Sequence, residues 1–371
     1  MDRFRVVICG GGIAAVEGLL RLRRLAGDAF AITLVSPADE LRYRPVAVEE
    51  PFSRPAARRY PLRRIAERTG AEWIQDALEW VDLDGQLVHT SDERSVPYDA
   101  LLIAVGARLS AAYDHVTVFD DSQPDETYRG LVQDVEEGYT KNLALLLPEG
   151  PAWPLPVYEL ALMTAERARS MGFDDLRVDV VTAEAAPLAA FGDEASQAVS
   201  ELLQRFGVRV HTSSTADVPA SRRLVVNPAG DELAPERIVA MPRILGPGIR
   251  DLPAAEGGFI PIDDRCRVPR SDGRVFAAGD VVSYPVKHGG LGAQMADVSA
   301  AGIAALAGAG EEPGPLRPVI RGVLYTGASP LYVTARIEDG AVRSEVTTEE
   351  AWPAEEKVVA EELGPFLHSL E

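Results

Sequence analysis

The feature that most constrains this chain is a glycine-rich turn close to its first residue. The apolar run Val6–Cys9 predicts a buried parallel strand, and Ala14–Leu25 predicts a helix packed back on the sheet. Between them, Gly10 permits a sharp turn and Gly12 lets backbone N–H groups approach phosphate oxygens, while Ala15 keeps helix and strand close. The spacing Gly10-x-Gly12-x-x-Ala15 in this context predicts a dinucleotide-binding unit rather than an ordinary turn.

The next strand, Ala31–Val35, completes the unit but ends without the acidic residue that usually binds a ribose hydroxyl. Ser36 follows it directly and could bond the ribose. Asp39 or Glu40 could reach the same group instead. The sequence leaves these alternatives open.

Length and charge restrict the classes of function. With 371 residues the chain can form two or three domains, and its formal net charge of −20 repels nucleic acid and anionic lipid. No apolar run reaches the roughly 18 residues of a membrane-spanning helix. The first strand starts too early to leave room for a signal peptide. We therefore expect a cytoplasmic protein with small-molecule partners, no nucleic acid and no transmembrane segment.

The cysteines argue against a dithiol centre. Cys9 and Cys266 are the two present, and there is no C-x-x-C motif. Cys9 ends the first strand, where a small buried side chain fits. A pair between them is not expected.

Two later strands also end in small residues. One runs through Ala104 and Val105 into Gly106, which brings bare backbone close to a neighbouring group. The other runs into Gly279-Asp280, where the carboxylate can accept a hydrogen bond from a polyol hydroxyl. A helix predicted from about Gly292 would point its N-terminus at phosphate.

A second nucleotide-binding unit is predicted from about Asp134, but its turn is unusual. Residues 147–156 contain four prolines and one glycine where a glycine cradle is expected. Proline supplies no N–H group, so this turn would hold a pyrophosphate poorly. Glu159 is predicted to begin the following helix, Tyr158–Met171, and to repel phosphate from its N-terminus.

The tail predicts two strands, Val319–Leu324 and Leu331–Ala335, and a short helix beginning at Lys357. That helix is too acidic for an interfacial membrane anchor. We expect it to cap the domain or to make a contact in a homodimer.

These motifs together resemble a known family. Their order, Gly10–Ala15, then Ala104–Ala107, then Arg274–Asp280, resembles that of flavoproteins with two dinucleotide-binding domains, the pyridine nucleotide-disulphide oxidoreductase superfamily. The resemblance spans nearly the full length. Narrower features resemble its branch of sulfide:quinone oxidoreductases and type II NADH dehydrogenases: Val35-Ser36-Pro37 followed by Arg44-Pro45, the turn Trp153–Glu159, and Pro285–Lys287 before Gly290 and Gln294.

The resemblance implies FAD as cofactor, with NAD(P)H as a co-substrate. Its pyrophosphate would lie on the glycine turn, its ribityl chain on Asp280, and its isoalloxazine near Pro45 and the Lys287–Gly290 loop. Lys287, or the following helix N-terminus, would stabilise negative charge on the N1/O2 edge of the reduced flavin. The candidate catalytic residues are Lys287 and Pro45, and no metal site is expected. The candidate cofactor-binding residues are Gly10, Gly12, Ala14, Ala15, Ser36, Arg44, Ala104, Gly106, Gly279, Asp280, Lys287 and Gly290.

The expected fold class is α/β, with two Rossmann-like dinucleotide-binding domains and a small C-terminal α+β segment. The predicted parts are 1–115 and 246–312 for a discontinuous FAD-binding domain, 116–245 for a degenerate NAD-like domain, and 313–371 for an interface or capping segment.

The resemblance predicts an FAD-dependent oxidoreductase. It would pass electrons from a small donor, with NAD(P)H favoured, to a quinone-like or other small acceptor. Sulfide chemistry is disfavoured because neither cysteine matches the redox pair of that branch, and the degenerate second turn weakens nicotinamide binding. The alternatives are a non-catalytic or regulatory flavoprotein and an FAD-dependent oxidase or monooxygenase of a small organic substrate.

Overall fold

A computed structural model describes residues 3–54, 57–338, 341–354 and 356–370. Its first sheet has five parallel strands, and all but the edge strand Glu72–Ile74 are mostly buried, as is usual where a parallel sheet is covered on both faces. The strand order is Val275–Ala277, Ala100–Ile103, Phe4–Cys9, Phe30–Val35 and Glu72–Ile74. The chain thus returns to this sheet after a long excursion, as the discontinuous domain requires.

Two helices that pack against each other on this sheet place the glycine turn. They are the fingerprint helix, Ile13–Ala26, and the alanine-rich helix, Gly289–Leu306. Small residues let them approach: a Cβ at Gly18 would lie 2.6 Å from the Leu102 side chain and 3.6 Å from Ala296. The alanine-rich helix begins three residues before Gly292, because His288 caps it.

The second sheet is also parallel and five-stranded. Its order is Thr117–Val118, Arg237–Ala240, Asn142–Leu147, Arg177–Thr182 and Val208–His211. The helices of this part are Gly130–Glu136, Leu155–Ser170 and Asp193–Arg205. The expected α/β class with two Rossmann-like sheets is confirmed, while the domain boundaries stay a prediction.

Smaller helices and strands accompany the two parallel sheets. They include the helix Leu62–Thr69, the 3-10 segment Arg44–Phe52 and antiparallel pairs or triplets of strands. These strands are Glu40–Arg42 with Arg59–Pro61, Leu78–Asp82 with Leu87–Thr90 and Ser95–Pro97, Arg108–Ser110 with Arg243–Leu245, and Thr215–Ala220 with Arg223–Asn227 and Asp231–Leu233.

The tail forms a three-stranded antiparallel sheet, Val319–Leu324, Leu331–Glu338 and Ala341–Thr347. The prediction of a helix from Lys357 is wrong, because the helix is Leu363–His368. The carboxylate of Glu17 accepts the N–H groups of Glu362 and Leu363 at 3.0 and 2.7 Å, and so fixes where that helix starts. A homodimer contact stays a prediction. Within the described ranges, no helix is long and apolar enough to cross a membrane.

Candidate functional site

A cavity of about 470 Å³ opens at the carboxyl ends of the first sheet and reaches the second domain and the tail. Parallel sheets bind ligands at this edge, and the volume is in the usual range for a ligand site. Nine predicted site residues line it: Gly12, Ala14, Arg44, Pro45, Ala104, Gly106, Gly279, Asp280 and Lys287. The other four, Gly10, Ala15, Ser36 and Gly290, do not line it.

The glycine turn fits a diphosphate. Gly10 has φ +134°, and a Cβ there would lie 2.1 Å from the Ala104 carbonyl oxygen, so the two turns pack backbone on backbone. A Cβ at Gly12 would meet nothing within 4 Å, since this residue faces the cavity. No described side chain caps the fingerprint helix at Gly12, so its first N–H groups are available to an anion.

Gly279 brings the N-terminus of the alanine-rich helix close to the glycine turn. It has φ +82°, and a Cβ at Gly292 would lie 3.0 Å from its Cα, while a Cβ at Gly279 would lie 3.2 Å from that of Ala14. The N-termini of the fingerprint and alanine-rich helices therefore converge at this end of the cavity, here termed the glycine end. The residues present fit the pyrophosphate of FAD.

Asp280 and Lys287 lie in the cavity wall with opposite charges. Burial raises the pKa of Asp280, and Lys287 and the Trp153 indole oppose that rise. Burial lowers the pKa of Lys287 to about 8, against the effect of Asp280. The Lys287 ammonium donates to the Val282 carbonyl at 2.5 Å and lies 3.9 Å from the centroid of the Phe259 ring. Its action on a flavin stays a prediction.

Arg44 lies beside a carboxylate that the sequence did not single out. Its guanidinium is half exposed and lies 3.6 Å from Oδ1 of Asp121, which also lines the cavity. Burial raises the pKa of Asp121, and Arg44 opposes the rise. Pro45 follows in the 3-10 segment, so Arg44 and Pro45 reach the cavity from one loop.

Ser36 and Gly290 support the wall from behind. Ser36 is buried, and its Oγ lies 2.6 Å from where a Cβ of Gly11 would be. Gly290 donates its N–H to Nδ1 of His288 at 3.1 Å. Among the alternatives for the ribose, Glu40 lines the cavity and pairs with Arg59 at 2.9 Å, while the role of Ser36 stays a prediction.

A second cluster in the cavity wall, here termed the polar end, is formed by Glu159, His288 and Lys357. The expectation that Glu159 begins its helix is wrong, because the helix starts at Leu155 and Glu159 lies in its second turn. Its carboxylate is fully buried and pairs with Lys357 at 2.5 Å. This ion pair, and not a phosphate site, explains the acidic residue.

Sequence reasoning missed the polar end. Oε1 of Glu159 also accepts the N–H of Tyr325 at 2.9 Å, and the Lys357 ammonium lies 4.3 Å from the Tyr325 ring centroid. Burial raises the pKa of Glu159 and Lys357 opposes it. Lysine occurs at three positions in the chain. This rarity could have marked Lys357 as a candidate functional residue.

The proline-rich turn docks on the Lys287 loop. Ala152 forms a parallel bridge with Val286, and the N–H of Lys287 donates to the Ala152 carbonyl at 3.1 Å. Trp153 then lines the cavity. At the end of the neighbouring strand, the Tyr158 hydroxyl donates to Glu184 at 2.6 Å. This turn therefore shapes the cavity wall.

Both cysteines are buried free thiols, and burial raises the pKa of each. The expectation that they do not pair is confirmed.

Comparison with known proteins agrees with this geometry. Residues 159–302 match the family model of the pyridine nucleotide-disulphide oxidoreductases. The chain has the fold of this family. The expected oxidoreductase class agrees with this match and with the fold.

Three relatives illustrate the similarity. The sulfide:quinone oxidoreductase of the hyperthermophilic bacterium Aquifex aeolicus superposes with a TM-score of 0.82 at 20% identity, over 93% of this chain and 87% of that one. A NAD-dependent persulfide reductase from A. fulgidus gives 0.65 at 19% identity, over 91% and 64%. Apoptosis-inducing factor 1 of Saccharomyces cerevisiae is 24% identical over 293 residues, 75% of this chain and 74% of that protein.

Proposed function

We propose that this protein binds FAD in the cavity and transfers electrons from a small donor to a quinone-like or other small acceptor. One observation supports this above the others. A single cavity joins the glycine end, the Lys287 loop and the polar end. Bound FAD would supply hydride and electron transfer, and the chain would supply binding, orientation and charge.

The wall residues have separable roles in this proposal. Gly12 and the fingerprint helix hold the pyrophosphate, and Asp280 accepts from the ribityl hydroxyls. Lys287 is a buried cation of the wall, and it stabilises negative charge that develops nearby. Pro45 and Trp153 shape the space beside it.

We favour NAD(P)H as the donor to test first. Pyridine nucleotide is part of the family's name, and the persulfide reductase with this fold is NAD-dependent. NAD(P)H need not bind at the N-terminus of the helix Leu155–Ser170, where Pro154 and Pro156 supply no N–H groups.

A regulatory flavoprotein is the second candidate. The docking of the proline-rich turn on the Lys287 loop favours it, because that contact fills the place of a phosphate-binding cradle. Such a protein would hold FAD without being reduced by pyridine nucleotides.

Anaerobic spectroscopy distinguishes these functions. The purified protein, supplemented with FAD, is titrated with NADH and then NADPH while the flavin absorbance is recorded. Bleaching supports the oxidoreductase and identifies the donor. A bound flavin that stays oxidised with both favours the regulatory function, and failure to bind FAD contradicts both.

A further inference from the structure

His288 has its protonation fixed by the backbone. It is the N-cap of the alanine-rich helix, and its Nδ1 accepts the N–H of Gly290 at 3.1 Å. A nitrogen that accepts a hydrogen bond carries no proton, so the proton of the neutral ring must lie on Nε2. The cap therefore makes the other side of the imidazole a donor.

The ring is also held neutral. Burial and the charge of Lys357 lower the pKa of His288 to about 4. Lys357 is itself compensated by Glu159 at 2.5 Å, so the polar end has no net formal charge. A neutral donor beside a compensated ion pair suits an uncharged oxygen better than a carboxylate.

No described residue accepts a hydrogen bond from Nε2, although His288 lines the cavity. The ring meets Phe191 edge to face, with centroids 6.4 Å apart and planes at 77°. The nearby cavity wall is apolar, with Leu155, Val323 and Val358. An Nε2–H group in this wall can donate a hydrogen bond to an acceptor of a ligand.

We propose that His288 binds the electron acceptor, donating a hydrogen bond from Nε2 to a carbonyl oxygen of a quinone-type molecule. The inference rests on the proposed function, since it assigns a residue to the acceptor of that reaction. A neutral donor between apolar residues and a compensated ion pair matches a planar, mostly apolar molecule that ends in a carbonyl.

Two matched variants separate this binding role from the capping role. In His288→Asn the side-chain oxygen takes the position of Nδ1, so the cap is kept and the Nε2 donor is lost. In His288→Gln an N–H remains at the ε position and the cap is lost. A merely structural role would make the Gln variant the more damaging of the two.

The holoprotein is reduced with dithionite and mixed in a stopped-flow instrument with ubiquinone-1 or ferricyanide. Ferricyanide is the reference because it needs no carbonyl contact. We expect the ratio of the ubiquinone-1 to the ferricyanide rate constant to fall about tenfold in His288→Asn. In His288→Gln it should stay within about threefold of wild type, while the melting temperature falls.

The alternative outcomes are distinct. An unchanged ratio in His288→Asn, or a larger loss in His288→Gln, overturns the role of His288 and leaves the proposed function intact. A wild-type protein that holds no FAD, or whose reduced form reacts with neither acceptor, overturns the proposed function and this inference with it.

A second measurement does not use activity. In ¹⁵N-histidine-labelled holoprotein at pH 7, the resonances of His288, assigned by their loss in His288→Asn, should show an unprotonated Nδ1 and a protonated Nε2. A proton on Nδ1 would overturn the proposal.

Discussion

Gly10 and Gly12 of the fingerprint have different physical roles, which their spacing alone does not reveal. Gly10 is needed for packing, because its backbone meets that of Ala104 and its φ is +134°. Gly12 is needed for access, because it faces the cavity with no neighbour in reach of a Cβ. The sequence predicted the strand, turn and helix around these positions, since the motif is local.

We expect Gly10→Ala and Gly12→Ala to differ in kind. Gly10→Ala should lower the free energy of unfolding by about 3 kcal/mol or more, since its Cβ overlaps a backbone carbonyl. Gly12→Ala should leave unfolding nearly unchanged and weaken FAD binding by roughly tenfold, because its Cβ intrudes on the diphosphate. Urea unfolding and flavin fluorescence titration measure these effects. Equal losses of stability in both variants would contradict this division.

His288 marks a helix start that the sequence did not predict. A histidine before two glycines indicates a loop, and a helix was therefore predicted only from about Gly292. The helix starts at Gly289 because the imidazole caps it. Propensity misplaces such a start when a side chain outside the usual capping residues supplies the acceptor.

An acidic cluster that no motif indicated lies between the two packed helices and the tail segment. Asp297 of the alanine-rich helix faces Glu17 and Arg21 of the fingerprint helix, and Glu361 and Glu362 of the tail. Arg21 pairs with both tail glutamates, at 2.9 and 3.1 Å. Arg24 also pairs with Glu362, at 2.7 Å. Four carboxylates against two arginines leave this contact short of positive charge.

The stability of the protein should therefore depend on pH through Asp297. Burial and its acidic neighbours raise the pKa of Asp297 from 3.8 to about 7. Over that range the native state keeps a proton that the unfolded chain releases, so the free energy of unfolding falls as pH rises to about 7. Because Asp297 is partly exposed, we expect Asp297→Asn to gain about 2 kcal/mol at pH 8 and little at low pH.

Urea unfolding at pH 5 and pH 8 measures this difference. Asp28→Asn is the control, because it removes the same charge at an exposed position in the same part of the chain. An equal gain in Asp297→Asn at both pH values would show that simple charge removal, and not the titration of Asp297, is responsible.

At the scale of the whole molecule, the sequence predicted the two parallel sheets but not how the tail closes on them. Most of the strands were identifiable because they are short apolar runs, and the return of Val275–Ala277 to the first sheet followed from its motif. The contact between Glu159 and Lys357 joins residues 198 positions apart. No local pattern indicates such a pair, because it depends on where the tail crosses the second domain.

We expect the Glu159–Lys357 ion pair to be a principal stabilising contact between the tail and the second domain. Lys357→Met leaves the fully buried Glu159 carboxylate without its cation, so we expect the free energy of unfolding to fall by about 3–5 kcal/mol. The double variant Glu159→Gln/Lys357→Met should recover most of the loss, because glutamine can still accept the Tyr325 N–H while no charge is buried.

Lys141→Met is the matched control, since this lysine also pairs with a carboxylate, Asp175, at 2.7 Å, but in an exposed pair. It should change unfolding little, because water screens that pair. Urea unfolding of all three variants at pH 7 gives the comparison. If the double variant were as unstable as Lys357→Met, packing of the lysine stem and not its charge would join the tail to the second domain.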